Sequence, residues 1–154
     1  MMDTTKGVIK LELFASETPK TVNNFVFLAR DGYYKGVKFH RIIKGFMIQS
    51  GDPTGTGAGG PGYKFADEPV TRDYTAGTLA MANSGQNTNG SQFFIMHTTY
   101  PLQKNYTIFG QVIEGMDIVN AIAETPVGPS TTGELSRPLQ DVLIRSITIE
   151  ETAR

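Results

Sequence analysis

The feature that most constrains the fold is a succession of short apolar runs interrupted by glycine and proline. The chain contains 17 glycines and 8 prolines among its 154 residues. From Gly7 to Phe14, apolar and polar residues alternate with the two-residue period of a half-buried strand. Further short runs of strand character lie at 37–43, 46–50, 63–66, 78–82, 92–96, 107–113 and 141–149. The pattern predicts a mainly β antiparallel barrel or sandwich, because a parallel sheet would need a helix in nearly every crossover.

Two segments have the spacing of helices instead. Thr18 is a candidate N-cap with Pro19 at the first helical position, and apolar residues follow at helical spacing until Gly32 ends the pattern. A shorter helix is predicted from Gly115 to Ala123, where one face is apolar. Two stretches are predicted to be surface loops, 55–62 and 125–138.

Length and composition exclude several classes of protein. The whole chain, 1–154, fits one domain with one core. Its 14 basic and 15 acidic residues create no overall field for nucleic acid or anionic lipid. With no Cys and only two His, we predict no metal site, and we expect no cofactor. The first residues lack the apolar run of a signal peptide, and no stretch reaches the ~20 apolar residues of a membrane span. We therefore expect a cytoplasmic monomer without nucleic-acid or membrane partners.

The segment GTGAGG at 55–60 matches the G-x-G-x-x-G pattern of dinucleotide-binding proteins. In those proteins a helix begins at once, so that its N-terminus meets the pyrophosphate. Here Pro61, Gly62 and Pro69 follow without helical periodicity. We favour a glycine-rich turn between strands over a nucleotide site.

The two histidines, His40 and His97, are candidate catalytic bases. Neither accompanies a nucleophile motif, since Ser84 and Ser91 lie in NSG and GSQ rather than in a G-x-S-x-G elbow. We favour structural, hydrogen-bonded histidines.

The segment KFHRIIKGFMIQSGD places polar groups among apolar ones on the same strand faces. By the alternation of side chains along a strand, Arg41 shares a face with its apolar neighbours two residues away. In the same way Gln49 lies beside Met47, and Gln92 beside Phe94. If these three faces meet, they form a shallow apolar site with one cation and two amides. The alternative is that the arginine extends from a barrel wall into solvent and the glutamines are solvated.

Three long segments, in order, resemble the signature segments of the cyclophilin family of peptidyl-prolyl cis-trans isomerases: FHRIIKGFMIQSGDPTGTGAGGPG, LAMANSGQNTNGSQFFI and FGQVIEGMDIV. The resemblance spans nearly the whole chain. It implies a closed eight-stranded antiparallel barrel capped by two helices. It also implies an isomerase, or rotamase, that acts on X-Pro bonds in peptides and in unfolded or partly folded proteins and so assists folding.

The resemblance also assigns residues. The catalytic residue is expected to be Arg41. The residues expected to orient it or to contact the substrate backbone are Gln49, Ala82, Asn83 and Gln92. The pocket for the proline ring is expected to comprise Phe46, Met47, Phe94, Leu102 and Tyr106.

Two positions depart from the best-known eukaryotic pattern of the family. A tryptophan expected just before Leu102 is Pro101 here, and a histidine expected four residues after it is Tyr106. Family members that bind cyclosporin tightly present that tryptophan's N–H to the drug. Since this sequence contains no Trp, we expect cyclosporin to bind with reduced affinity.

Two other functions are open on the sequence alone. The leading alternative is a proline-binding module with weak or no turnover, which would serve as a docking surface for one partner. A nucleotide-binding enzyme, the third alternative, rests only on the glycine pattern.

Overall fold

The computed structural model describes residues 1–152, which contain two helices and ten strands. The helices are α1 (Pro19–Arg30) and α2 (Met116–Ala123). The strands are β1 (Met2–Thr4), β2 (Gly7–Leu13), β3 (Arg41–Ile43), β4 (Met47–Ser50), β5 (Thr78–Met81), β6 (Phe93–Met96), β7 (Ile108–Glu114), β8 (Val127–Pro129), β9 (Leu135–Pro138) and β10 (Ile144–Ile147). Within this part of the chain, neither helix has the length and apolar character needed to cross a bilayer.

Eight strands form one antiparallel sheet in the order β10-β1-β2-β7-β5-β6-β4-β3. The predicted mainly β fold with eight antiparallel strands and two helices is confirmed. The prediction of a closed barrel was overstated, because the described edge strands β3 and β10 share no ladder. Instead, the segment before β3 meets the other edge through one isolated bridge, Lys38–Leu143, flanked by two backbone hydrogen bonds of 2.8 and 2.9 Å. The sheet is therefore a curled half-barrel.

The largest core cluster lies inside the curled sheet and includes the buried apolar face of α1. Phe25 of this helix packs against three aromatic rings at centroid distances of 5.3 to 5.6 Å: Tyr34, Phe93 and Phe109. A second cluster lies at the β4–β6–β5 side and contains Met47, Phe94 and Tyr74. Because its members are nearly all buried, this second cluster gives the candidate site a rigid apolar floor.

The start of α1 differs from the prediction in one respect. Thr18 occupies the N-cap position, but its hydroxyl donates to the carbonyl of Phe14 (3.2 Å) and makes no cap bond. The free N–H groups of the first turn are satisfied from a distant loop, since the Glu68 carboxylate accepts from Thr21 N–H (2.7 Å) and Lys20 N–H (3.4 Å). A carboxylate from elsewhere in the fold thus does what a local threonine was expected to do.

Two predicted segments differ from the structure. The run 63–66 forms only an isolated bridge, Phe65–Asn89, and not a strand. Part of the predicted loop 125–138 is instead the antiparallel hairpin β8–β9, which lies beside β3. Its strands have three and four residues and contain Gly128, Pro129 and Pro138, so they lack the alternation that marks a strand in sequence.

Candidate active site

A row of cross-strand neighbours builds the centre of the site. Arg41 in β3 lies opposite Gln49 in β4, Gln49 lies opposite Phe94 in β6, and Phe94 lies opposite Ala80 in β5. Directly opposite residues point to the same side of a sheet. The structure therefore brings together the strand faces that the sequence predicted to meet, with the cation at one end of the row and the apolar groups at the other.

This row opens into a groove of about 600 Å³. Nine of the ten predicted site residues line it: Arg41, Phe46, Met47, Gln49, Ala82, Asn83, Phe94, Leu102 and Tyr106. The tenth, Gln92, lines an adjoining groove that shares Gln49, Ala82 and Asn83 with the first. The predicted residues thus form one continuous surface.

The floor of the groove is apolar and fixed. Met47 and Phe94 are buried, with 1% and 5% of their surface exposed. The Phe94 ring meets Tyr106 edge to face at 5.5 Å, and Tyr106 meets Tyr74 in the same manner at 6.4 Å. The Tyr74 hydroxyl donates to the Tyr106 carbonyl (2.6 Å) and accepts from the Tyr106 N–H (3.1 Å). Tyr106, one of the two departures from the expected pattern, is therefore held firmly at the pocket.

The guanidinium of Arg41 is held by two acceptors. Its Nη1 donates to Gln49 Oε1 (3.2 Å), as the predicted orienting role of that glutamine requires. Its Nε and Nη2 donate to the two carboxylate oxygens of Glu134, at 2.9 and 3.0 Å. Neither side chain of this ion pair is fully buried, with 36% of Arg41 and 38% of Glu134 exposed.

Sequence reasoning missed Glu134. It lies 93 positions from Arg41, within a stretch predicted to be loop, and no spacing rule connects them. Hydrogen bonds from Arg41 and from Ser136, together with the positive charge of Arg41, lower the pKa of Glu134 to about 2. The carboxylate is therefore ionised at neutral pH.

A chain of amide hydrogen bonds leads from Arg41 to the glycine-rich segment. Gln49 Nε2 donates to Gln92 Oε1 (3.1 Å). Gln92 Nε2 in turn donates to the carbonyls of Gly57 (2.9 Å) and Gly59 (3.0 Å). Each glutamine thus uses its oxygen toward the arginine side and its nitrogen toward the loop, which fixes the orientation of both amides.

The glycine-rich segment surrounds a carboxylate of this chain. Asp52 is fully buried and accepts backbone N–H groups of Thr54 (2.8 Å), Thr56 (3.1 Å), Gly57 (2.7 Å) and Gly59 (3.0 Å). Burial acts to raise the pKa of Asp52, but hydrogen bonds from Thr54, Gly59 and Gly57 outweigh it and lower the pKa to about 2.

The glycines of this segment have a local purpose. Gly57 has a φ of +88°, and a Cβ at Gly59 would lie 2.1 Å from Asp52 Oδ1. The next regular element after the segment is strand β5, which begins at Thr78, so no helix follows the glycines. The G-x-G-x-x-G pattern therefore encloses an internal anion, and the interpretation as a turn between strands agrees with the structure.

The two histidines differ. His97 Nδ1 accepts the N–H of Gly45 (2.9 Å), which is the structural hydrogen bond expected of it. His40 lines the groove, but its buried Nδ1 has no hydrogen-bond partner among the described residues, so the expectation of a hydrogen bond there is not met. Burial lowers the pKa of His40, partly offset by the charge of Asp52.

No cluster of three or more potential metal-binding side chains occurs in residues 1–152. The arrangement has instead a fixed cation donor, a ladder of amides and an apolar floor. Such a surface suits binding and polarising an extended peptide with an apolar ring, and it contains no activated nucleophile.

Comparison with known proteins agrees with this geometry. The family model described as cyclophilin type peptidyl-prolyl cis-trans isomerase/CLD matches residues 1–149. Peptidyl-prolyl cis-trans isomerase-like 3 of Homo sapiens is 48% identical over 154 aligned positions, 96% of this chain and 93% of its own. Peptidyl-prolyl cis-trans isomerase-like 1 of Mus musculus is 52% identical over 149 positions, 93% and 87% of the two chains.

Solved structures agree as well. A crystal structure of a Cryptosporidium parvum cyclophilin type peptidyl-prolyl cis-trans isomerase superposes with a TM-score of 0.90 at 41% identity, covering 99% of this chain and 96% of its own. A second structure of that protein, in the presence of the dipeptide Ala-Pro, gives the same TM-score and identity over 98% of each chain. With a family match over almost its whole length, the chain belongs to the cyclophilin-type peptidyl-prolyl cis-trans isomerases.

Proposed function

We propose that this isomerase accelerates rotation about X-Pro bonds through Arg41, with no covalent intermediate. The observation that carries the proposal is the position of a fixed guanidinium at the edge of a buried apolar floor, within one groove. In this proposal Gln49 orients the arginine, and Ala82, Asn83 and Gln92 contact the substrate backbone.

The chemistry explains why an arginine suits this position. Isomerisation breaks no σ bond, and its barrier of ~18–20 kcal/mol is the lost resonance between the carbonyl and the imide nitrogen. In the twisted state that nitrogen regains a lone pair and becomes an acceptor, which it is not in either planar isomer. A donor aimed at the nitrogen therefore stabilises the transition state selectively. Such a charge-assisted hydrogen bond contributes ~1.5–3 kcal/mol.

The apolar floor has a different task. Burying the three methylenes of a proline ring is worth roughly 2.4 kcal/mol at ~0.8 kcal/mol each. Both isomers and the transition state gain nearly the same amount, so this term gives binding rather than acceleration. We assign it to Phe46, Met47, Phe94, Leu102 and Tyr106, which hold the ring while the preceding carbonyl turns.

We further propose that the substrates include unfolded or partly folded proteins, and that the protein acts as a cytoplasmic monomer that assists folding. The groove is open at the surface and suits an extended chain. The near-equal numbers of acidic and basic residues give no reason to expect nucleic acid or membrane as a partner.

The test is a protease-coupled isomerase assay with a proline-containing peptide. Arg41→Ala should lower kcat/KM roughly 10²-fold, about 2.7 kcal/mol of transition-state stabilisation. Arg30→Ala, which removes another arginine with a carboxylate partner but far from the groove, serves as the control and should retain activity. Peptide binding without acceleration by the unmodified protein would favour the alternative, a proline-binding module.

We also propose that cyclosporin binds weakly. Pro101 is exposed at the position where family members that bind the drug tightly have a tryptophan, and proline has no N–H donor. A lost neutral hydrogen bond is worth ~0.5–1.5 kcal/mol, so affinity about tenfold or more below that of a tryptophan-containing relative is expected.

Titrating isomerase turnover with cyclosporin measures this affinity, and Pro101→Trp should tighten inhibition. Inhibition as strong as in a tryptophan-containing relative would mean that another group of the 97–107 segment donates instead, with Tyr106 as one candidate.

A further inference from the structure

The acidic partner of Arg41 comes from a rigid part of the fold. Glu134 follows the tip of the β8–β9 hairpin, where the Ser130 N–H donates to the Glu134 carbonyl (2.7 Å) and the Gly133 N–H donates to the Ser130 carbonyl (3.0 Å). Gly133 has a φ of +89°, which the tight turn requires. The backbone beneath the carboxylate is therefore fixed by the hairpin itself.

The hairpin also forms one wall of the groove. Ser130, Thr131, Thr132 and Glu134 line it together with Arg41. The groove keeps its volume of about 600 Å³ with the ion pair formed, so the carboxylate does not fill the space where a peptide would lie.

The ion pair leaves part of the guanidinium free. An arginine has five N–H bonds. Glu134 accepts one from Nε and one from Nη2, and Gln49 accepts one from Nη1. Three of the five are used, so one N–H on Nη1 and one on Nη2 remain for a substrate. A bidentate carboxylate and an amide acting together fix both the position and the plane of the group.

We propose that Glu134 is a positioning residue for Arg41, holding the guanidinium so that its two remaining N–H groups face the peptide in the groove. This inference rests on the proposed function of Arg41. Without Glu134, one 3.2 Å hydrogen bond to Gln49 would hold a side chain that is 36% exposed. The arginine would then sample several rotamers, at a cost to the alignment on which its selectivity depends.

The charge of Glu134 is compatible with this role. The twisted imide gains a lone pair and no net negative charge, so the transition state needs an aimed donor more than an unpaired cation. Pairing also removes a free guanidinium that would bind carboxylates of any peptide. The alternative, that Glu134 competes with substrate and inhibits, predicts the opposite change in activity.

The test compares two substitutions that each remove one acidic partner of a basic side chain. Glu134→Gln keeps the shape of the carboxylate but removes its charge and replaces one of the two accepting oxygens with an NH2 donor, so the two-oxygen pairing with Nε and Nη2 is lost. Glu124→Gln is the control, because Glu124 pairs with Lys44 (2.8 Å) next to β3 and does not line the groove.

We expect Glu134→Gln to lower kcat about tenfold with KM nearly unchanged, part of the ~10²-fold that a misplaced catalytic group can cost. Glu124→Gln should stay within about twofold of the unmodified protein, the range expected for loss of an exposed pair. The Arg41 Nε–H, followed by NMR, should exchange with solvent faster in Glu134→Gln than in the unmodified protein or in Glu124→Gln. Thermal unfolding of both variants shows that the fold is retained.

Three results would overturn the inference. Activity of Glu134→Gln equal to that of Glu124→Gln would show that the pair does not position the arginine. Higher activity would show that Glu134 inhibits. Absence of turnover by the unmodified protein would refute the proposed function and the inference with it, whereas the first two results leave the proposed function intact.

Discussion

The carboxylates of Asp52 and Glu134 differ in their surroundings. Glu134 binds Arg41 at one end of the hydrogen-bond chain through Gln49 and Gln92, and Asp52 binds the glycine-rich segment at the other end. Asp52 is fully buried and is bound by four backbone N–H groups of the glycine-rich segment. Glu134 is 38% exposed and is bound by the guanidinium of Arg41. Both have a pKa of about 2, in one case through hydrogen bonds from the Thr54 hydroxyl and from backbone N–H groups, and in the other through hydrogen bonds from Arg41 and Ser136 and the charge of Arg41.

The difference separates structure from function. The N–H groups that bind Asp52 belong to the loop backbone, so Asp52 stabilises the conformation of the loop. The carbonyls of Gly57 and Gly59 in the same loop accept from Gln92, so the loop also fixes the orientation of that side chain. The partner of Glu134 is a charged side chain that is 36% exposed, so that contact affects the arginine more than the stability of the protein. We therefore expect the loss of Asp52 to appear in unfolding and the loss of Glu134 to appear in turnover.

Asp52→Ala should have the largest effect on stability. It removes the acceptor of four partly buried backbone N–H groups, and a buried donor left without an acceptor costs up to ~1–3 kcal/mol before water enters. We expect the free energy of unfolding to fall by at least ~3 kcal/mol, with Tm lower by about 10 °C. Urea and thermal unfolding measure both, with Asp141→Ala, an exposed aspartate, as the control. A loss below about 1 kcal/mol would mean that water replaces the carboxylate, and that the loop does not depend on it.

The next effect is on stability in acid. The folded-state pKa of Asp52 is lowered from 3.8 to about 2, so its contribution is complete above pH ~4 and is lost as pH falls toward 2. The shift corresponds to roughly 2 kcal/mol at 1.36 kcal/mol per pH unit. Urea unfolding at pH 6 and at pH 2.5 should show this loss in the unmodified protein, and a smaller loss in Asp52→Asn. Equal losses in both would assign the acid sensitivity to other carboxylates.

The smallest effect concerns Glu134 and salt. Because this pair is more than one third exposed, Glu134→Ala should lower the free energy of unfolding by less than about 1 kcal/mol. Most of that should vanish in 1 M NaCl, where the Debye length is ~3 Å, while the cost of Asp52→Ala should persist. Unfolding of both variants at 0.05 and 1 M NaCl measures this. The contrast between the two carboxylates would be contradicted if the stability lost in Asp52→Ala depended on salt. It would also be contradicted if Glu134→Ala lowered the free energy of unfolding by more than about 2 kcal/mol at both salt concentrations.

Several elements could be predicted because their signals are local. The alternation from Gly7 predicted β2, which the structure places at Gly7–Leu13. Pro19 and the spacing after it predicted α1, and the apolar face beginning at Met116 predicted α2. Each signal depends on side-chain periodicity or backbone torsions over a few residues, where the sequence states the physical constraint directly.

Other elements could not be predicted, since their partners are distant. The three residues of β1 are too few to show a period, and they form a strand between β2 and β10. Thr18 had the right residue type for a helix cap, yet the first-turn N–H groups are satisfied by Glu68, 47 and 48 positions away. The residue type at position 18 predicted a local cap, but the fold places the Glu68 carboxylate where it accepts these N–H groups instead.

By itself, the sequence determined that Arg41, Gln49 and Phe94 point to the same side of a sheet. That outcome follows from the two-residue period of a strand once the strands pair, and the resemblance to a known family indicated what such a surface does. It also indicated that the glycine-rich segment 55–60 is a turn between strands and not a nucleotide site, because no helical periodicity follows it.

Only the tertiary structure decided that Glu134 meets Arg41 across 93 positions, and that the sheet curls into a half-barrel without closing. The physical reason is range. Torsional preferences and side-chain periodicity act over a few residues, whereas an ion pair between distant residues depends on where packing places two otherwise unrelated backbones.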